Sequence, residues 1–410
     1  MPLVVAMHHQ ETKMNGFFDT DFSKTSRMSK VPRCRMCKLD RKCMSPRMEP
    51  YGKGERKILV VTEAPGEAED EQNVRYVGKS WQLLDKMFDE VGYDLEMDCW
   101  VTSAVTCRPI DNRTPTRKEI DFCRPSLLNT IDELKPFAVI LMGTSAVDSL
   151  LGSVWKKDIG GISRWAGYQI PLREKNIWAC PIFHPSYVIR MENDVLDLWY
   201  KKHIKNAMKL MSVPWPVGPP DYEKMVVKIL DHKKAAKEIN KFVDSGKPVA
   251  FDYETDRLKP DDPRSKIASC AISDGVRTIA YPWEGDAVQA SSDFLKSGVP
   301  KIAANIKFEE RWTKAVLGHG VNNWKFDTMQ ASHVFNNEAG ITSVKFQSFI
   351  RLGVGDYDSY IHPFLSQEGL NGGNRVFQAD IDKLLLYNGM DAILEYQIAE
   401  RQMKEVGIVL

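Results

Sequence analysis

Four prolines, at positions 214, 216, 219 and 220 inside SVPWPVGPPDYEK (212–224), divide this chain. Proline fixes φ and removes a hydrogen-bond donor, so a cluster this dense suits neither a helix interior nor a central strand. At 410 residues the chain exceeds one ordinary domain, and two units joined near residue 215 are expected. Before the prolines, KILVVTEAP reads as a strand entering a Pro-Gly turn and SWQLLDKMFDEVG as an amphipathic helix ending at Gly92. CWVTSAVTC reads as a second strand, and FAVILMGTSAVDSLLG as a third that feeds a helix. Strand–helix alternation of this kind predicts a mostly parallel, doubly wound α/β sheet. After the prolines, HKKAAKEINKFVDSG reads as a helix and KPVAFDYET as a strand, with KIASCAISD and RTIAYPW as successive antiparallel strands. The expected division is a tail over 1–22, a first domain over 23–211, a linker and helix over 212–246, and a second domain over 247–410.

With 43% hydrophobic and 27% charged residues, the composition is that of a globular protein able to build real cores. No run of eighteen uncharged apolar residues predicts a membrane span. The opening MPLVVAMHHQ lacks the basic region of a secretory signal, so a cytoplasmic setting is expected. Eight cysteines are too sparse for a disulfide scaffold. Net charge is only +1, but Lys24 to Lys42 holds eight Lys or Arg against one acid, Asp40. Tyr200 to Lys209 (YKKHIKNAMK) is a second basic stretch. Each reads either as a solvated face or as a phosphate-binding surface.

CRMCKLDRKC (34–43) sets three cysteines in ten residues, and Cys107 and Cys123 follow downstream. Four thiolates at Cys34, Cys37, Cys107 and Cys123 satisfy an iron–sulfur cluster. Zinc has the same four available, or Cys43 in place of one, and spacing alone does not choose between the metals. The neighbouring motifs do. VVTEAPGEAED (60–70), YVGKSWQLLD (76–85), VTCRPIDNRTPT (105–116), LMG (141–143) and HPSYVIR (184–190) follow in one order. Together, over roughly residues 30 to 210, they resemble a family 4 uracil-DNA glycosylase. That resemblance implies an α/β/α parallel-sheet fold and a [4Fe–4S] cluster on Cys34, Cys37, Cys107 and Cys123, with Cys43, Cys99, Cys180 and Cys270 ordinary thiols. It also implies a base taken out of the stack into a pocket. Glu63 and Glu69 would position water or stabilise the sugar cation, and His184 would face the charge developing on uracil O2. Tyr76 would stack on the base. From the basic stretch rather than the resemblance, Arg33, Arg35 and Arg41 are expected to contact DNA, and Arg190 of HPSYVIR with them. The sequence departs from the family twice. Ser103 stands where the family reads the uracil edge with an Asn, and a hydroxyl makes fewer directed contacts than an amide. Thr62 replaces the usual Gly before Glu63. Two readings of this domain follow: a glycosylase, or an inactive DNA-binding or replisome-adaptor module.

In the second half, VAFDYETDRLKP places Asp252 and Glu254 on one face of a strand. NIKFEERW brings Asn305 and Glu309, and YNGMDAILEYQI brings Tyr387 and Asp391 one helical turn apart. Over about 247 to 405 these resemble the DEDD-type 3′–5′ exonuclease domain of DNA polymerase I relatives, and FDTM (326–329) fits the segment after the second motif. The resemblance implies a ribonuclease H-like mixed sheet and two Mg²⁺ or Mn²⁺ ions. Asp252 would bridge them, with Glu254 and Asp391 completing their shells and Tyr387 orienting the attacking water. The family's second-motif Asp is Glu309 here, with Glu310 its neighbour, and Asp327 reads as structural. Only nineteen residues follow Asp391, so a polymerase on another chain is the expected partner, acting on single-stranded or primer–template DNA. A glycosylase-like module joined to such an exonuclease resembles a phage or other viral replication protein, which would place it in host cytoplasm.

Overall fold

The computed structural model describes residues 31–75, 77–210, 220–367, 369 and 371–408. The tail over 1–22 and three of the four prolines lie outside them. None of the described helices is long and apolar enough to cross a membrane.

The first unit is a five-stranded sheet in the order β2-β1-β3-β5-β4. Its strands are β1 (Ile58–Thr62), β2 (Cys99–Ser103), β3 (Ala138–Met142), β4 (Ile170–Leu172) and β5 (Ile177–Ile182). All pairs are parallel except β4 with β5. β1 is buried along its whole length because both faces of a parallel sheet are covered. Leu59 and Val61 face helices α2 (Arg117–Leu134) and α3 (Gly143–Leu151). Ile58 and Val60 face the opposite layer, which includes α1 (Lys79–Glu90) and α4 (Pro185–Met191). β1 lies between β2 and β3, so the strand order reverses there. In sheets of this kind ligands bind outside the carboxyl ends of the strands at such a switch point. Glu63 follows β1, Gly143 follows β3, and His184 lies two residues beyond β5.

The second unit is a mixed six-stranded sheet, β11-β10-β7-β8-β9-β6. It comprises β6 (Val226–Lys228), β7 (Val249–Thr255), β8 (Ile267–Ser273), β9 (Thr278–Pro282), β10 (Lys301–Ala303) and β11 (Trp324–Asp327). β7, β8 and β9 run antiparallel in succession, while β6 pairs parallel with β9 and β10 with β7. Residues 226–245, expected to bridge the domains, are built into the second one instead. β6 extends its sheet, and α5 (His232–Ser245) turns Ala235, Ile239 and Phe242 into its core beside α6 (Gly285–Lys296). Strand pairing and an apolar helix face hold this stretch, so it does not act as a free spacer. On the other face lies the 25-residue α9 (Ile381–Glu405), which carries Tyr387 and Asp391. Between them come α7 (Ile306–Leu317), which carries Glu309, and α8 (Val344–Leu352).

The two units share a core. Phe346, Phe349 and Ile350 of α8, with Ile341, join the same buried cluster as Trp155 and Trp165 of the first unit. The Phe346 ring lies 5.8 Å from Trp155 and 5.1 Å from Trp165. Polar groups complete the seam: Arg173 donates to the Leu352 carbonyl at 2.6 Å and Arg164 to that of Gly340 at 2.8 Å. Gly353 caps α8 at φ +67°, where a Cβ would collide with the Pro171 carbonyl.

Candidate functional site

In the first unit, Cys34, Cys37, Cys107 and Cys123 all line one cavity of about 370 Å³. The loop that carries the first pair is wound by left-handed residues at Arg33, Arg35 and Lys38. Leu39 anchors it against Val105, Cys107 and Ile120. Burial raises the pKa of the Cys37, Cys107 and Cys123 thiols, so a metal centre there would have to displace their protons. A tetrahedral zinc site requires sulfurs about 3.8 Å apart. Among the described residues, no three cysteine sulfurs lie within 4.8 Å of one another. Arg33, Arg35 and Arg41 are exposed on this loop, and the first two line the cavity.

His184 is shared by two clefts at the carboxyl edge of the sheet. One, about 540 Å³, is also lined by Thr62, Glu69, Trp81 and Met142. The other, about 1150 Å³, is lined by Glu63, Ser145 and Arg190 among others. His184 Nδ1 accepts from the Ser186 backbone N–H at 3.2 Å. In the neutral ring this leaves the proton on Nε2. Burial, and secondarily the charge of Arg190, lowers its pKa to about 4, so the ring is a neutral donor at physiological pH. Glu63 Oε2 accepts from Ser145 Oγ at 2.9 Å. Glu69 is structurally committed: one oxygen accepts from the Gly66 N–H and the other from Trp81 Nε1, each at 2.9 Å. Ser103 is 1% exposed and lines neither cleft. Its hydroxyl takes a 2.7 Å hydrogen bond from the buried Arg75 guanidinium and shares another of 2.9 Å with Thr62. The two departures from the family motif therefore bond to each other, and Arg75 joins them. Sequence reading missed Arg75, whose position is set by tertiary structure. Tyr76 lies outside the described residues.

In the second unit, oxygens of Asp252, Glu254 and Asp391 lie within 4.8 Å of one another. β7 supplies the first two and α9 the third. The strand and helix are locked together by Asn388, which donates to Asp252 Oδ2 at 2.7 Å and accepts from Ser269 Oγ at 2.8 Å. Burial, reinforced by Asp391, raises the Asp252 pKa to about 8. Glu254 is pushed well above the carboxylate range by burial and then by Asp252. Carboxylates crowded this way want a cation. Lys345 of α8 supplies one: its Nζ is 2.5 Å from Asp391 Oδ2 and 2.6 Å from Tyr387 Oη. Burial would lower the Lys345 pKa, but Asp391 beside it prevails and keeps it raised. Tyr357 donates to the other Asp391 oxygen at 2.5 Å.

Glu309 is 1% exposed, outside the three-acid group, and its Oε2 has no hydrogen-bond partner. Asp327 is structural: it accepts from the backbone N–H groups of Asn305 and Ile306 at 3.1 and 3.0 Å, holding the turn that leads into α7. Glu310 is spent on Val321 N–H and Trp324 Nε1. A further acid, Glu395, is also 1% exposed with an unpartnered Oε2, and its pKa is raised by burial and by Asp252. Four residues after Asp391 on the same helix, it was detectable by spacing. Lys345 and Tyr357 carry no local signal.

Residues 49–209 match the uracil DNA glycosylase superfamily, and residues 227–406 match a 3′–5′ exonuclease family. A type-4 uracil-DNA glycosylase of Pyrobaculum aerophilum is 35% identical over 149 residues, covering 34% of this chain and 72% of that protein. The Thermotoga maritima type-4 enzyme is 31% identical over 165 residues, 39% of this chain and 81% of its own. A DNA polymerase of Bacillus phage SP01 is 21% identical over 385 residues; the match takes in 86% of this chain but 40% of that polymerase. The chain belongs, through its first domain, to the type-4 uracil-DNA glycosylase family, and its second domain is a 3′–5′ exonuclease.

Proposed function

We propose that this protein shortens DNA from its 3′ end in a divalent-metal-dependent, proofreading-type reaction, acting in concert with a DNA polymerase. The convergence of Asp252, Glu254 and Asp391 carries this reading. Two Mg²⁺ or Mn²⁺ ions bound there would clamp the attacking and leaving oxygens of the phosphodiester. The chain's own residues do the rest. Asn388 orients Asp252, and Lys345 fixes Asp391 and Tyr387 together. With its oxygen accepting from Lys345, Tyr387 keeps its own proton to direct at a neighbouring water.

The first domain, in this proposal, holds a [4Fe–4S] cluster on Cys34, Cys37, Cys107 and Cys123. All four cysteines line one cavity, and the domain's likeness to type-4 uracil-DNA glycosylases favours the cluster over zinc. Anaerobically purified protein is expected to be brown, with a broad absorption near roughly 400 nm and bound iron. Colourless, zinc-loaded protein would sink the cluster assignment.

Two readings of that domain's chemistry remain in play. Neutral His184 with its proton on Nε2, near Glu63, favours base excision. Ser103, sealed behind Thr62 and Arg75, favours a DNA-gripping module without uracil selectivity, because a buried site that lacks its designed hydrogen bond discriminates poorly. One assay separates them, using a 5′-labelled single strand with one central uracil. In Mg²⁺ a 3′-end digestion ladder is expected, and its absence would defeat the exonuclease reading. In EDTA followed by alkali, cutting at uracil means base excision, and an intact strand means the binding module.

A further inference from the structure

The seam between the domains opens, beside the exonuclease acids, into a cleft of about 730 Å³. One wall is the first domain's turn after α3, with Val154, Trp155, Lys156 and Lys157. The other wall includes Asp358 and Pro363 of the second domain. Lys345 also lines the cleft, and its ammonium touches Asp391 and Tyr387, so this one side chain borders both the cleft and the three-acid group.

The cleft presents one exposed lysine of the first domain that no acid among the described residues neutralises. Lys157 pairs with Asp358 at 2.8 Å. The other acid on that wall, Asp356, accepts from the backbone N–H groups of Asp358 and Ser359 and so serves its own turn. Lys156 is exposed and donates to the Ser153 carbonyl of its own turn at 2.6 Å. An ammonium has three donors, so two are left for an incoming group. Val154, Trp155 and Pro363 give the same cleft an apolar side. Grooves that hold single-stranded DNA combine these two features, cations along the backbone and apolar or aromatic surface for bases.

We infer that the glycosylase-like domain forms part of the exonuclease's substrate channel: the 3′-terminal stretch of a single DNA strand lies in this cleft, with Lys156 of the first domain on a backbone phosphate. This rests on the exonuclease reading and extends it, because the nuclease centre then borrows a strand-binding wall from the neighbouring domain. Such a channel explains why α8 is shared: the helix that inserts Phe346 into the first domain's core also presents Lys345 to the acids.

The test compares two substrates of the full-length protein in Mg²⁺. One is a labelled single-stranded oligonucleotide. The other is the p-nitrophenyl ester of thymidine 5′-monophosphate, which is too small to reach along the cleft. Lys156 makes no bond across the seam, so Lys156→Glu leaves the domain interface intact. The ratio of kcat/KM on the oligonucleotide to that on the ester is expected to fall about tenfold, through KM. The slope of log KM against log salt should lessen by about 0.7, the value for one lost phosphate contact on a single strand. Lys156→Arg should restore both. An unchanged ratio and slope in Lys156→Glu would overturn the channel while leaving the exonuclease standing. If the unaltered protein cleaves neither substrate, the exonuclease reading itself has failed.

Discussion

Asp252→Ala should abolish nuclease activity while DNA binding persists. A catalytic metal ion contributes several kcal/mol of transition-state charge stabilisation. Each ~1.36 kcal/mol is a factor of ten in rate, so a fall of about 10³-fold or more is expected. Asp252 is the acid most exposed to this loss, because it faces Glu254 on its own strand and Asp391 on α9. A rapid-quench or gel assay at saturating Mg²⁺, beside a filter-binding measurement, reads both quantities. Digestion at the unaltered rate would remove the metal assignment. A second effect has the opposite sign. In the metal-free protein Asp252 titrates near 8, well above an unfolded aspartate at about 3.9. Between roughly pH 4 and pH 8 the native state therefore holds a proton that the unfolded chain has already released. Stability without metal is accordingly greatest below that window and declines as pH rises through it. Asp252→Asn removes one acid from the coupled pair with Glu254. Its melting temperature in EDTA should depend less on pH across the window, although the variant is inactive. The centre is built to be unfavourable until a cation arrives.

How much of this was legible from the sequence depends on how local each feature is. ILVVT and VAFDYET announce buried strands because strand periodicity and β-branched content survive in five to seven residues. Asp252 with Glu254, and Tyr387 with Asp391, were legible because a strand and a helix convert spacings of two and four into a shared face. Lys345 is different. It lies 46 positions from Asp391 and reaches it only because α8 is wedged between the domains, which no local pattern encodes. Ser103 was visible as a departure, but the Arg75–Ser103–Thr62 network that explains it joins residues up to 41 positions apart. The helix at 232–245 was also legible. Its membership of the second core was not, because that depends on β6 finding β9, 52 residues later in the chain.

Phe346→Ala should uncouple the two domains. The side chain is fully buried among Trp155, Trp165 and Tyr168 of the first unit, and the Arg164 guanidinium lies 4.8 Å from its ring centre. Truncating a buried Phe typically costs about 3–5 kcal/mol, from lost burial and the cavity left behind. Here the cavity would open at the seam, so the loss falls on the contact between the units and spares each unit's own sheet. Calorimetry of the full chain is therefore expected to change from one cooperative transition to two, the earlier at lower temperature. The nuclease should weaken as well, because Lys345 is the preceding residue and depends on α8 to reach Asp391 and Tyr387. A residue that orients a metal ligand is typically worth about 10–100-fold. Comparison with Lys345→Met separates the two effects: that variant should lose a similar factor in rate while keeping a single transition, because its side chain points away from the seam core. One transition at an unshifted midpoint in Phe346→Ala, with the rate unchanged, would mean that the aromatic seam holds nothing together and that the domains are neighbours only by tether.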